Sequence, residues 1–331
     1  MQNALHDKSI RLSVVIPMYN EEQVMPHLFA RLRPVLDGMN INYEVVCIDD
    51  GSRDRTASML QDSIEAWPEL RLLRLTKNSG HQAALTAGLA NCYGSYAVSI
   101  DADLQDPPEL IPEMYAKAVK EKLDVVYAAR EDRSSDTWFK RNTASAYYKM
   151  MRKIAGKQVP DNAADFRLIS RRVLEALRQI PEYDRVYRLL IPWFGFPSGI
   201  VTFTREERPA GESKYPLSKM VNLSIDSVTN FTNTPLRFAT YIGIFASIAS
   251  FIYGVYLVFR VFTGDTVPGW ASTVLFVLFF GAANLLCVGI IGEYMGRLIT
   301  NSQARPLYIV GYDSSKDQAV QANLEPSREY G

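Results

Sequence analysis

The chain has 331 residues, and its 36 lysines and arginines balance its 36 aspartates and glutamates, so the formal net charge is zero. This length accommodates one large domain and an appendage, and the balanced charge argues against bulk binding of nucleic acid, which needs an excess of basic groups. The three cysteines, Cys47, Cys92 and Cys287, lack metal-ligand spacing, and we expect them to be reduced packing residues of a chain that faces the cytosol.

Strand and helix patterns alternate over the first 130 residues. Buried-strand patterns lie at 12–17, 43–48, 70–75, 96–100 and 125–128, and helical spacing lies at 22–38, 54–66 and 83–92. Apolar strands that alternate with helices predict an α/β fold, a mostly parallel sheet with helices on both faces. No Gly-x-Gly-x-x-Gly follows the first strand, which argues against a dinucleotide-binding fold.

Polar and acidic residues follow three of the predicted strands, at 17–21, 49–52 and 101–103. Ligands of such sheets bind beyond the carboxyl ends of the strands, so the three segments are expected to border one site. Asp101 and Asp103 are spaced i, i+2 where a strand ends, and both can turn toward one pocket. Oxygen ligands of this kind suit Mg²⁺ or Mn²⁺, which then bind the phosphates of a substrate. The pattern therefore predicts that the chain handles a nucleotide diphosphate.

Two long runs, 238–259 and 266–292, contain no charged residue. Each is long enough to cross roughly 30 Å of hydrocarbon as a helix, and the short link at 260–265 predicts a hairpin. Basic residues cluster outside this hairpin, so the positive-inside rule places the large domain and both termini in the cytoplasm. Residues 215–234 mix apolar and polar positions, which favours a helix in the membrane interface, although packing on the soluble domain explains the pattern nearly as well.

The sequence therefore divides into four parts. We expect a cytoplasmic α/β domain at 1–210, a juxtamembrane segment at 211–237, two transmembrane helices within 238–292, and a cytoplasmic tail at 293–331. The two helices are expected at about 238–260 and about 267–292. Such a chain would be a multi-pass protein of the inner or plasma membrane.

Six stretches carry a resemblance to a known family: 14–21, 48–52, 78–88, 101–109, 165–168 and 211–215. They resemble, in the same order, the motifs of family 2 glycosyltransferases with a GT-A fold. The resemblance is closer to the polyprenyl-phosphate glycosyltransferases, the group with dolichyl-phosphate mannose synthases and bactoprenol glucosyltransferases. One departure is Ala164, which stands where the family usually has glycine, and alanine lacks glycine's access to positive φ. The loop that holds Asp165 is therefore expected to differ slightly in shape.

The resemblance implies roles for residues at the strand ends. It assigns nucleotide binding to Pro17, Tyr19, Glu21, Asp50, Asn78, Gly80, Asp101 and Ala102. It assigns the metal site, for Mg²⁺ or Mn²⁺, to Asp101, Asp103 and Gln105. His81 is interpreted as a residue of the nucleotide-side loop that has no role in proton transfer.

The resemblance also implies a phosphate-binding and a catalytic set. The basic stretch that closes over the pyrophosphate or holds the lipid phosphate comprises Arg205, Arg208, Ser213 and Lys214. The catalytic set is Asp165, Asp103 and Arg130, with Arg130 beside the phosphates. Asp165 is the family's proposed base, but a phosphate monoester has its second pKa near about 6 and is mostly deprotonated at neutral pH. Asp165 therefore acts either as a base or as a residue that positions substrate.

The function implied by the resemblance is the inverting, metal-dependent transfer of one sugar from a nucleotide diphosphate sugar to polyprenyl (undecaprenyl) phosphate at the cytoplasmic membrane face. UDP-glucose is favoured because residues 80–88 resemble bactoprenol glucosyltransferases, while UDP-GlcNAc, UDP-galactose, GDP-mannose and a modified arabinose stay open. Two spans and the absence of Gln-x-x-Arg-Trp argue against a processive synthase.

A non-catalytic scaffold that binds nucleotide sugar or recruits a flippase is the alternative from another class. The retained carboxylates Asp101, Asp103 and Asp165 argue against it. The expected partners are a nucleotide sugar, polyprenyl phosphate, the membrane, a flippase, a downstream glycosyltransferase of cell-envelope glycosylation, and a second copy of the chain.

Overall fold

The computed structural model describes residues 10–130, 163–180, 185–203, 234–263, 269–303 and 305–316. The chain divides into two compact units, one made of Met1–Ser213 with Pro306–Gly331 and the other of Lys214–Arg305. Nearly all of the predicted interfacial segment, 215–234, lies outside the described residues.

The described part of the first unit contains one sheet of eight strands flanked by helices. The strands are β1 (Leu12–Met18), β2 (Tyr43–Asp49), β3 (Leu70–Leu75), β4 (Tyr96–Ser99), β5 (Val125–Arg130), β6 (Ala163–Ser170), β7 (Ser198–Phe203) and β8 (Val310–Asp313). The helices are α1 (Met25–Gly38), α2 (Thr56–Ala66), α3 (His81–Asn91), α4 (Ile111–Glu121), α5 (Arg171–Arg178) and α6 (Tyr187–Trp193). The elements predicted in the first 130 residues are all present, with small shifts at their ends.

The strand order is β7-β5-β6-β4-β1-β2-β3-β8. Strand β1 runs parallel to β2 and β4, β2 to β3, and β5 to β7, whereas β6 runs antiparallel to β4 and β5. Strand β6 therefore begins at the edge of the sheet where β1 to β5 end. We call this edge, made of the residues that follow β1 to β5 and the first residues of β6, the carboxyl edge.

The sheet is buried on both faces, as its continuous apolar strands predict. Successive residues of a strand point to opposite faces. Val14 and Ile16 of β1 pack with residues of α1, α2 and α4 in one core layer, and Val15 packs with residues of α3, α5 and α6 in the other. The predicted fold class, a mostly parallel α/β sheet between two layers of helices, is confirmed.

After the second apolar helix the chain returns to this sheet as the edge strand β8, antiparallel to β3. Asp313 of β8 accepts two hydrogen bonds from Arg71, from Nε to Oδ1 at 2.9 Å and from Nη2 to Oδ2 at 2.7 Å. Both side chains are buried, and Ser314 Oγ accepts a further bond from the Leu72 amide at 3.0 Å. Strand β8 was not predicted from the sequence, because four residues are too few to show a strand period.

The described part of the second unit contains two long apolar helices, α7 (Thr234–Phe262) and α8 (Trp270–Ser302). Their segments Ala239–Tyr256 and Phe279–Ser302 are long and apolar enough to cross a membrane, and 6% and 0% of their residues are buried. The two helices pack together, with the rings of Tyr253 and Phe276 4.7 Å apart. They correspond to the predicted pair, although α8 continues past the predicted end at 292.

The buried pair between Arg71 and Asp313 generates a prediction about stability. Asp313→Ala leaves the Arg71 guanidinium buried without its carboxylate, so we expect the free energy of unfolding of the first unit to fall by about 3–5 kcal/mol. Burial alone would raise the pKa of Asp313, but Arg71 outweighs burial and lowers it. The stabilisation is therefore present above the ordinary pKa of aspartate and is lost as pH falls through the lowered value.

Denaturant unfolding of the purified chain in detergent, followed by tryptophan fluorescence, measures this loss. Arg55→Ala is the matched control, because it removes a largely exposed pair with Glu22 and should cost less than about 1 kcal/mol. Equal losses in the two variants would contradict a special role for the buried pair.

Candidate active site

The carboxyl edge gathers the acidic segments that the sequence predicted. Asp50 follows β2, Asp101 follows β4, and Asp165 lies near the start of β6. Because Ser99 pairs with Arg167 across β4 and β6, Asp165 lies two residues beyond that pair, opposite Asp101. The antiparallel entry of β6 therefore brings Asp165 to the other acids from a distant part of the sequence.

Asp50 holds the loop that leads into α3. Its Oδ1 accepts a hydrogen bond from the Ser79 amide at 2.7 Å, and its Oδ2 accepts one from the Gly80 amide at 2.9 Å. Gly51 has a φ of +69°, and a Cβ there would lie 2.7 Å from the Asn78 nitrogen, so this position requires glycine. Burial raises the pKa of Asp50, and the two amide bonds offset part of that rise. Three predicted nucleotide-binding residues, Asp50, Asn78 and Gly80, are thus brought together.

The predicted nucleotide-binding residues of β1 and its loop differ in accessibility. Pro17 is buried within β1, whereas Tyr19 is 38% exposed where the strand has ended. The amide of Glu21 donates to Thr56 Oγ1 at 2.9 Å, which ties this loop to the start of α2. Tyr19 is therefore the member of this set that presents an aromatic side chain to solvent.

Residues 101–105 alternate between partial exposure and burial. Asp101, Asp103 and Gln105 are partly exposed, whereas Ala102 and Leu104 are buried. Within this segment Leu104 has a φ of +57° and a side chain that is 2% exposed. A left-handed conformation costs such a residue about 1–2 kcal/mol, which burial of the side chain offsets. The Gln105 amide donates to Asp103 Oδ1 at 3.1 Å, so the turn keeps three oxygen-bearing side chains on its accessible side.

These three side chains fit the predicted Mg²⁺ or Mn²⁺. Burial raises the pKa of Asp101, and the negative charges of Asp165 and Asp103 raise it further, against an opposing effect of His81. A carboxylate whose charged form is disfavoured in this way gains from a nearby cation. No cluster of three or more His, Cys, Asp and Glu side chains able to hold a metal ion occurs in the described ranges. Mg²⁺ is, however, usually held by one or two carboxylates together with substrate phosphates.

Asp165 lies between two arginines. Its Oδ1 contacts Nη2 of Arg167, and its Oδ2 accepts a hydrogen bond from Nη2 of Arg188 at 3.0 Å. Its backbone carbonyl accepts a bond from Ser99 Oγ at 2.8 Å, which fixes the start of β6 against β4. Burial alone would raise the pKa of Asp165, but the two guanidinium groups outweigh burial and lower it. Asp165 is therefore a weaker proton acceptor than an ordinary aspartate.

Three basic residues belong to this site although the sequence analysis did not connect them to its acids. His81 begins α3, and its Nε2 lies 3.7 Å from Asp101 Oδ1. Arg167 follows Asp165 by two positions in β6, so the period of a strand could have predicted that they share a face. Arg188 lies 23 residues beyond Asp165, on α6, and no sequence pattern connects the two.

Two further residues discussed from the sequence, Arg130 and Ala164, lie within strands of the sheet. Arg130 is the last residue of β5 and thus ends at the carboxyl edge. Ala164, the departure from the resembled family, lies inside β6 rather than in a loop. The predicted phosphate-binding residues lie outside the described part of the chain: Arg205, Arg208, Ser213 and Lys214.

Comparison with known proteins identifies relatives that align over most of the chain. An uncharacterized glycosyltransferase of Synechocystis sp. is 42% identical over 303 residues, which cover 91% of this chain and 95% of that protein. The bactoprenol glucosyl transferase of Shigella phage SfV is 37% identical over 308 residues, covering 93% of this chain and 100% of that protein. A solved glucosyl-3-phosphoglycerate synthase from Mycobacterium tuberculosis, in complex with Mn²⁺, uridine diphosphate and phosphoglyceric acid, is 19% identical with a TM-score of 0.47, covering 68% of this chain and 78% of that chain.

The model of the family described as glycosyl transferase family 2 matches residues 13–178, which run from β1 to the end of α5 and include the acids of the carboxyl edge. This match and the long alignments agree with each other, and the chain belongs to glycosyl transferase family 2.

Proposed function

We propose that this glycosyltransferase moves a single sugar from a nucleotide diphosphate sugar, with UDP-glucose as the donor, to polyprenyl phosphate. The observation that carries the proposal is the similarity to a bactoprenol glucosyl transferase, which extends well beyond residues 13–178 into the part with the apolar helices. A polyprenyl chain resists leaving the bilayer, since each buried methylene is worth about 0.8 kcal/mol. The enzyme must therefore bring its site to the membrane, and α7 and α8 supply an anchor.

The proposed reaction is a single displacement at the anomeric carbon. An oxygen of the acceptor phosphate forms the new bond while the bond to the nucleoside diphosphate breaks, so the anomeric configuration inverts. Asp101, Asp103 and Gln105 would hold Mg²⁺ or Mn²⁺, which when bound neutralises the charge of the leaving diphosphate. The loop held by Asp50 and the exposed ring of Tyr19 would receive the nucleotide.

Asp165 serves in this reaction to position groups rather than to accept a proton. The acceptor phosphate is mostly deprotonated at neutral pH, because its second pKa is near about 6. Arg167 and Arg188 lower the pKa of Asp165, which makes its carboxylate a poor base. The acceptor phosphate is therefore mostly free of the proton that a base would remove, and the Asp165 carboxylate has little tendency to accept one.

We also propose that α7 and α8 cross the membrane as a hairpin, with the catalytic unit and both termini in the cytoplasm. Strand β8 follows α8 and pairs with β3, which precedes α7 by many residues. The segments before and after the two helices therefore belong to one sheet and must lie on one side of the membrane. An even number of crossings satisfies this requirement. The catalytic domain then comprises residues 1–210 together with the returning strand.

The proposed product, a sugar linked to polyprenyl phosphate, suits a flippase and a downstream glycosyltransferase as partners. Association of two copies is proposed on the small residues of the apolar helices, such as Gly243, Gly281 and Gly289, which let helices approach closely in lipid.

The first test is a transfer assay with membranes that contain the full chain, polyprenyl phosphate and a panel of radiolabelled nucleotide sugars. We expect radiolabelled glucose to enter the lipid phase, and EDTA to abolish transfer. Asp103→Asn should lower the rate by about a hundredfold or more, because a carboxylate that would hold the metal ion, and with it the charge that stabilises the leaving diphosphate, is lost. Asp62→Asn is the control, since Asp62 is exposed on α2.

Each outcome of this assay has a separate meaning. Full activity of Asp103→Asn would contradict the metal assignment, and preference for another sugar would correct the donor alone. Absence of transfer from every donor, with nucleotide binding retained, would favour the non-catalytic scaffold.

A second test concerns Asp165. Asp165→Asn removes the charge that orients its two arginines, and we expect the rate to fall by a factor that stays constant between about pH 6 and pH 9, because no proton transfer is lost. The pH profile of kcat for the variant and the wild type measures this factor. Recovery of the variant's rate toward high pH would show instead that Asp165 acts as a base.

Membrane topology is tested by labelling single cysteines in intact cells. In a chain with Cys287→Ser, and with Cys47 and Cys92 buried, Thr263→Cys after α7 should react with an impermeant maleimide from outside. Asp62→Cys on α2 should react only after the membrane is permeabilised. The reverse pattern of labelling would contradict the proposed orientation.

A further inference from the structure

We infer that Arg188 binds the phosphate group of the acceptor and that Asp165 orients it for this purpose. The inference rests on the proposed function and adds to its site a residue that the sequence did not reveal. It also gives Asp165 a definite partner, in place of a general positioning role.

An anionic acceptor meets an unfavourable charge at the carboxyl edge. Asp165 lies opposite Asp101 where β6 begins and β4 has ended, and Asp103 follows Asp101 by two residues, so three carboxylates share this edge. A phosphate that approaches the donor sugar must pass close to these carboxylates. The metal ion that Asp101 and Asp103 would hold is assigned to the diphosphate of the donor, so the acceptor phosphate gains from a further cation beside these carboxylates.

Two guanidinium groups contact Asp165, and they differ in access. The Arg167 side chain is 3% exposed, and its Nε donates to the Asp165 backbone carbonyl at 3.3 Å. It is part of the sheet and cannot reach a substrate. The Arg188 side chain is 36% exposed and approaches Asp165 from α6. Arg188 can therefore contact a ligand and Asp165 at the same time.

Helix α6 provides a rigid base for Arg188. The residues on either side of it, Tyr187 and Leu189, are buried. The Tyr187 hydroxyl donates to Thr86 Oγ1 of α3 at 2.8 Å, and α3 begins with His81, which lies beside Asp101. Arg188 is thus fixed to the same framework as the donor side of the site, which limits the entropy lost when it binds a ligand.

The chemistry of the guanidinium group suits this role. It is planar, carries five N–H donors and binds phosphate oxygens through paired hydrogen bonds. A carboxylate that accepts a hydrogen bond from one nitrogen of the guanidinium group helps to fix the plane of the group, as Asp165 Oδ2 does for Arg188 Nη2 at 3.0 Å. Lysine would supply the charge without this geometry.

The test uses the full chain in nanodiscs and the variants Arg188→Gln, Arg188→Lys and Asp165→Asn. The measured quantities are KM for polyprenyl phosphate, KM for UDP-glucose, and Kd for farnesyl phosphate by calorimetry, with farnesol as the probe that lacks the phosphate. Arg188→Gln should raise KM for polyprenyl phosphate and Kd for farnesyl phosphate by about tenfold to a hundredfold, the usual effect of losing hydrogen bonds to a charged group. KM for UDP-glucose and binding of farnesol should not change. For Arg188→Lys and Asp165→Asn, KM for polyprenyl phosphate and Kd for farnesyl phosphate should lie between the values of the wild type and of Arg188→Gln.

Arg172→Gln is the matched control, because it also removes an arginine that pairs with an aspartate, Asp124, but at the opposite edge of the sheet. It should leave all of these constants unchanged. Thermal unfolding of each variant shows whether it is folded, and if Arg188→Gln does not fold, Arg188→Lys and Asp165→Asn decide the question.

The outcomes separate this inference from the proposed function. Transfer with unchanged acceptor KM and farnesyl phosphate Kd in the folded variants would overturn the inference and leave the function standing. A fall in kcat alone would assign Arg188 a structural role and would also overturn it. Farnesyl phosphate binding that depends on Arg188, without transfer from any donor, would support the inference and overturn the function.

Discussion

The balance of charge at the carboxyl edge is the constraint on which the rest of this site depends. The sheet brings carboxylates from distant segments together, and their repulsion has to be compensated locally. Asp50 accepts hydrogen bonds from two backbone amides, and Asp165 is paired with two guanidinium groups. Asp101 Oδ1, by contrast, lies 3.7 Å from His81 Nε2, which is too long for a hydrogen bond. The pKa of Asp101 is accordingly raised and that of Asp165 lowered. Two neighbouring acids with opposite shifts have different tasks: one gains from a cation, and the other already has its partners.

The sequence predicts the parts of this site that depend on local pattern. Strands β1 to β5 are apolar runs long enough to recognise, and the acidic pair Asp101 and Asp103 is recognisable by its position after such a run. The left-handed conformation of Leu104, which lies between Asp103 and Gln105, was not predictable, because leucine rarely adopts it. The contact of Arg188 with Asp165 could not be predicted either, because it depends on how α6 packs. The question that the sequence left open, whether Asp165 is a base, depended on that contact.

Because β8 belongs to the sheet, the apolar helices lie between two segments of the α/β domain in the sequence. They are not an extension that follows a finished domain, because the chain continues from α8 to β8 and completes the sheet beside β3. Arg71 and Asp313, separated by 242 positions, form the buried pair at this junction. Closing so long a loop costs conformational entropy, and the pair, with the bond from the Leu72 amide to Ser314, helps to offset it. The sheet can be completed only after both apolar helices have been synthesised, because β8 lies beyond them in the sequence.

The environment of Asp165 bears on the class of acceptor as well as on the mechanism. A sugar or lipid hydroxyl is a poor nucleophile until a base removes its proton, and an effective base has a pKa near the working pH. Placing two arginines on such a base would lower its pKa and weaken it, so the arrangement seen here would oppose transfer to a hydroxyl group. A phosphate needs no such base, because it is already an anion, and it meets an obstacle of the other kind, repulsion by the neighbouring carboxylates. Cations held beside Asp165 remove that obstacle. Both arginines make Asp165 a poor base, and the accessible one, Arg188, adds a positive charge that favours a phosphate acceptor over a hydroxyl group.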